Sequence, residues 1–68
     1  MLYENILKFC IEKGVTVRQL ERDLSLPRDY IYKLGHLIKE PGVYHIAKIA
    51  RYFNISIEKL IGMEKQEG

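Results

Sequence analysis

The sequence predicts an all-α protein, a compact five-helix domain, on three observations. Apolar residues recur at three- and four-residue intervals, as on one face of a helix. No stretch alternates apolar and polar residues as a half-buried strand does. The periodic segments are separated by Gly14, Ser25-Leu26-Pro27, Pro41-Gly42 and Asn54-Ile55-Ser56, residue types that end, turn or cap helices.

The first helix is expected from Leu2 to Lys13, where apolar residues at 3, 6, 7, 10 and 11 face one way and Glu4, Lys8 and Glu12 the other. Gly14 ends it as a left-handed cap. Thr16-Val17-Arg18-Gln19 reads as a capping box opening a second helix that runs to about Leu24, with Leu20 and Leu24 facing the core. Pro27 suits the first turn of a third helix, because its missing N–H would be unpaired there in any case. That helix is expected from Pro27 or Arg28 to Leu34 or Gly35, followed by a connector from Gly35 to Gly42. A fourth helix places Ile46, Ile49, Ala50 and Phe53 on one face, and a short fifth carries Ile57, Leu60 and Ile61 between Ser56 and Gly62. Residues 1–62 form the expected domain and 63–68 a polar tail.

Thr16, Leu20, Leu24, Leu26, Ile31 and Leu34 have the spacing of two short helices joined by a tight turn, a helix-turn-helix, whose second helix lies in the DNA major groove. With Ile31 and Leu34 pointing inward, about 100° per residue turns 29, 32, 33 and 36 outward. Asp29, Tyr32, Lys33 and His36 are therefore the outer face, with Arg28 at its leading end and Tyr30 on a partly buried flank.

Composition limits the alternatives. A chain of 68 residues has room for one domain and one core. Its net charge of +2 permits nucleic-acid binding without requiring it, so the distribution of charge has to carry that argument. Cys10 is the single cysteine, which leaves no intramolecular disulfide and no cysteine-based zinc site; with Ile6, Leu7 and Ile11 around it, a core thiol is expected. No apolar run approaches the length of about 18 residues that a membrane span needs. Glu4, Asn5 and Lys8 do not suit a signal sequence, so a soluble cytoplasmic protein is expected.

Three segments together resemble a known family. They are Glu12-Lys13-Gly14-Val15-Thr16, Leu20-Glu21-Arg22-Asp23-Leu24 and Lys48-Ile49-Ala50-Arg51-Tyr52-Phe53-Asn54-Ile55-Ser56, with Pro41 at a matching distance from Ile31 and Lys48. They are similar to the Cro/C1-type, lambda-repressor-like helix-turn-helix regulators of phages and bacteria, over roughly Ile6 to Gly62. The last segment is especially similar to small regulators of low-GC Gram-positive bacteria and their phages. The resemblance implies a five-helix fold and usually a homodimer on a palindromic operator. Carried over by position, it implies base-facing Arg28, Asp29 and Lys33 with Tyr32 beside them, and phosphate contacts at Val17, Arg18 and around Lys39. This chain departs from the pattern at five positions. Val17 stands where many members have Gln, leaving only a backbone amide to hold a phosphate. Pro27 replaces the usual polar cap of the reading helix, Glu21 a frequent small residue, and Gly35 and Leu37 the usual Glu and Gly at the end of that helix.

The chemistry of each candidate has alternatives. Arg28 and Lys33 could each donate to guanine O6 and N7, or Lys33 could be a solvated surface cation. Asp29 could accept from cytosine N4, or orient Arg28 or Lys33. Tyr32 could pack on a thymine methyl or donate to phosphate, or cover the second helix. His36 could touch phosphate, or simply favour the helix C-terminus as a cation. Leu37 and Ile38 either tuck under the fourth helix or meet another chain. The resemblance adds Ile57, Ile61 and Met63 as a second candidate dimer surface. No nucleophile with its base, Gly-rich phosphate loop or metal constellation is present, because His36 and His45 lack a third ligand and Ser25 and Ser56 sit at caps. No enzyme activity, cofactor, metal or small-molecule ligand is expected. The expected partners are double-stranded DNA and a second copy of the chain, with no membrane. The leading expectation is a sequence-specific transcriptional regulator, a small phage-type or bacterial repressor. The alternative is a protein-interaction module on the same fold, such as an antitoxin, an antirepressor or a paralogue that does not bind DNA.

Overall fold

Local capping chemistry sets most of the helix boundaries. The computed structural model describes residues 2–38 and 41–62, and within them the helices are α1 Leu2–Lys13, α2 Val17–Asp23, α3 Tyr30–His36, α4 Val43–Phe53 and α5 Ile57–Ile61. The chain is all-helical in this order, as its periodicity implies. Thr16 Oγ1 accepts from Gln19 N–H at 3.0 Å while the Gln19 amide oxygen accepts from Thr16 N–H at 3.4 Å, the reciprocal box that opens α2. Ser56 opens α5 by accepting from Lys59 N–H at 3.0 Å.

Three helices close in the same way. At the ends of α1, α2 and α4 a left-handed residue, Gly14 (φ 80°), Ser25 (φ 55°) or Asn54 (φ 59°), turns the chain. The next N–H then returns to a carbonyl in the last turn: Val15 to Cys10 at 3.0 Å, Leu26 to Glu21 at 2.8 Å and Ile55 to Ala50 at 3.0 Å. These are Schellman closures, which satisfy carbonyls that a helix end would otherwise leave unpaired.

Each helix places one aliphatic side chain entirely out of water at the centre: Ile6, Leu20, Ile31, Ile49 and Leu60. Burying such a side chain is worth about 1.5–3 kcal/mol, and here five of them are shared among helices too short to persist alone. Around them pack Phe9, Cys10, Leu26, Tyr30, Leu34, Ile46 and Ala50. Leu24, expected to face the core, is only partly buried, because it lies beyond α2 as its C-cap.

Helix α1 touches α2, α3 and α5 and so acts as the spine. Its Asn5 side-chain amide donates to Leu60 C=O at 2.8 Å, fixing α5. Tyr52 on α4 donates to the Asp23 carboxylate at 2.8 Å, and Lys13 lies 5.2 Å from the Tyr52 ring centroid, so α1, α2 and α4 meet there. No helix of the described residues is long and apolar enough to cross a membrane.

Candidate nucleic-acid interface

The turn between α2 and α3 differs from the sequence expectation in a way that bears on the site. Helix α3 starts at Tyr30 rather than at Pro27 or Arg28, and runs to His36 rather than stopping at Leu34 or Gly35. Pro27 is outside the helix: its carbonyl accepts from Tyr30 N–H at 3.1 Å, closing a turn with Arg28 and Asp29 at its centre. Asp29 is left-handed there (φ 63°, ψ 16°), a conformation that interrupts a right-handed helix. The connector therefore begins at Leu37, two residues later than expected.

Glu21 holds this turn from α2; in the sequence it stands within a segment similar to the family, where it replaces a frequent small residue. It lies on the stripe 17, 20, 21, 24 that α2 turns towards the core, and it is 4% exposed. Its two carboxylate oxygens accept from Asp29 N–H at 3.3 Å and from the buried Ile31 N–H at 3.1 Å. The Arg18 Nε lies 4.0 Å from the same oxygen that serves Asp29. An acidic residue on a core-facing stripe, followed by a helix start without a polar cap, was the signal available in the sequence.

From α3 inward point Tyr30, Ile31 and Leu34, all buried; Tyr30 is more enclosed than its flanking position implied, its ring tilted against that of His45 with centroids 4.8 Å apart. Burial raises the Tyr30 hydroxyl above its ordinary pKa. The opposite side is open: Arg28, Asp29, Tyr32, Lys33 and His36 are all exposed. Tyr32 stacks on His36 with centroids 4.1 Å apart, and Tyr3 of α1 meets the same imidazole edge-on at 5.4 Å. Behind this row Gly35 lets α1 come close: a Cβ there would lie 2.5 to 2.9 Å from the Tyr3 ring.

The start of α2 adjoins this face. Tyr3, Val17, Arg18, Glu21, Asp29 and Tyr32 line one open cleft, so the candidate phosphate residues Val17 and Arg18 are neighbours of the candidate base-facing Asp29 and Tyr32. Val17 is half-buried against the core and Arg18 is exposed. Lys39 lies outside the described residues, as does Met63.

The remaining apolar candidates separate. Leu37 is 68% exposed, whereas its neighbour Ile38 packs against the core. Ile57 and Ile61 line an apolar groove with Leu2, Pro41, Val43 and Ile46, and Leu37 is not part of it. Among the described residues no three His, Cys, Asp or Glu side chains are grouped to hold a metal ion.

Two short helices across a tight turn, the second with a buried inner side and a polar outer one, define the helix-turn-helix class. Comparison with family models makes this specific: the Cro/C1-type HTH DNA-binding domain matches residues 5–66, so the chain belongs to that family. It is accordingly a regulator that binds double-stranded DNA, in a family that is typically non-enzymatic. No curated protein and no solved structure matches the chain.

Proposed function

We propose that the protein is a sequence-specific repressor of phage or bacterial type that binds a palindromic operator as a homodimer, with residues 1–62 as the DNA-binding unit and 63–68 as a tail. The observation that carries this reading is the division of α3, with Tyr30, Ile31 and Leu34 buried and Tyr32, Lys33 and His36 open beside Arg28 and Asp29. Arg28 and Lys33 donate to guanine edges, Asp29 accepts from cytosine N4 or aligns those cations, and Tyr32 meets a thymine methyl. Phosphates are held by the Val17 backbone amide, Arg18, His36 and Lys39. A dimer would bring two α3 helices into successive major grooves about 34 Å apart. Its apolar contacts are drawn from exposed Leu37, since Ile38 packs against the core, or from Ile57 with Ile61 and Met63.

The test is selection from a random duplex library, followed by Arg28→Ala and Lys33→Ala on the selected site. Enrichment of a two-fold symmetric site is expected, with each substitution relaxing base preference at its own position by about 1–3 kcal/mol. Affinity should fall with salt at a log–log slope of about 0.9 per neutralised phosphate. An affinity for another protein that salt hardly alters, with no enriched duplex at low salt, would instead favour the interaction module.

A further inference from the structure

Helix α3 begins without a cap of its own. Asp29 occupies the N-cap position, but in its left-handed conformation its side chain makes no capping hydrogen bond. Free N–H groups at a buried helix start are costly, since each loses water without gaining a partner. Glu21 meets that need from the preceding helix. One carboxylate oxygen takes the Asp29 N–H and the other the Ile31 N–H, so the two contacts straddle the left-handed residue and fix the backbone on both sides of it. The Glu21 carbonyl meanwhile accepts from Leu26 N–H at 2.8 Å, closing α2. A single residue thus ties down the turn where it leaves α2 and where it enters α3. Arg28 and Asp29 lie between those ties, and their side-chain directions follow from the backbone that Glu21 holds.

We propose that Glu21 is a positioning residue for base readout: it sets the preference at the operator positions faced by Arg28 and Asp29 without touching DNA. This rests on the assignment of the outer face of α3 and its leading turn to base contacts. A side chain that only stabilised the fold would weaken binding to every duplex alike. One that aims Arg28 and Asp29 must alter preference locally, leaving phosphate contacts and the Lys33 position as they were.

The experiment compares the full chain with Glu21→Gln, which keeps the volume but offers one acceptor oxygen for two N–H donors. Binding of each to the selected duplex, to its single-base variants and to a random-sequence duplex is read by fluorescence anisotropy across salt concentrations. Expected for Glu21→Gln are random-duplex affinity and salt slope within about twofold of the parent. Discrimination should drop about tenfold at the base pairs that Arg28→Ala relaxes, and little at those that Lys33→Ala relaxes. Amide hydrogen exchange without DNA should quicken at Asp29 and Ile31. Should Glu21→Gln not fold, Glu21→Asp, which keeps the charge on a shorter reach, is judged by the same pattern. Unchanged base preference, or an equal loss at all positions, overturns the proposal while leaving the DNA-reading assignment intact. A parent chain that selects no sequence overturns both.

Discussion

Ser25 is a residue at odds with its backbone. It holds the left-handed position after α2 at φ 55°, where the equivalent place after α1 is filled by Gly14. A Cβ in that region costs about 1 kcal/mol, and Ser25 is exposed, with no side-chain hydrogen bond required of it by the closure. Ser25→Gly should therefore stabilise the protein by about 0.5–1 kcal/mol, seen as a higher urea midpoint at unchanged slope. Cys10 shows the opposite kind of fit: it is 3% exposed, and burial raises its thiol above the ordinary range, as its apolar neighbours implied.

Between elements, the closest approach is that of α1 to α3 at Gly35. Gly35→Ala would gain helix propensity but drive a methyl group into the Tyr3 ring, displacing it from its contact with His36. A net loss of about 1–3 kcal/mol is expected, and Tyr3→Ala in the same chain should recover most of it; a double-mutant cycle in urea measures the coupling. This contact also marks where sequence reasoning stops. The Thr16–Gln19 box, the Gly14 cap and the start of α5 at Ser56 were legible because they are made within five residues. The outward turn of Tyr32, Lys33 and His36 was legible because Ile31 and Leu34 fix the phase of the helix. The true start of α3 was not, since Pro27 has the right chemistry for a first helical position and the deciding groups are a carboxylate eight and ten residues back. Nor could periodicity foresee that Leu37 and Ile38, adjacent in the chain, would part company, one outside and one against the core.

At the scale of the whole molecule, Tyr52 joins the N-terminal spine to the helix-turn-helix. Its hydrogen bond to the Asp23 carboxylate raises the hydroxyl above its ordinary pKa, so the proton is held more tightly in the folded state than in the unfolded one. The linked stabilisation is fully present below the unfolded tyrosine value of about 10 and is lost as pH rises through the higher folded value. Tyrosinate absorbance should accordingly show a late-titrating group that Tyr52→Phe removes and Asp23→Asn shifts back towards the ordinary range. The buried inner side of α3 and its open outer side also have a consequence for descent with change. Stability draws on Tyr30, Ile31, Leu34 and Gly35, whereas Arg28, Tyr32 and Lys33 bear no packing of comparable depth. Arg28, Tyr32 and Lys33 can therefore be exchanged without renegotiating the fold, which under the proposed function is what a change of operator would require. Asp29 is the exception: its left-handed backbone favours Asp, Asn or Gly and makes most other replacements cost backbone strain.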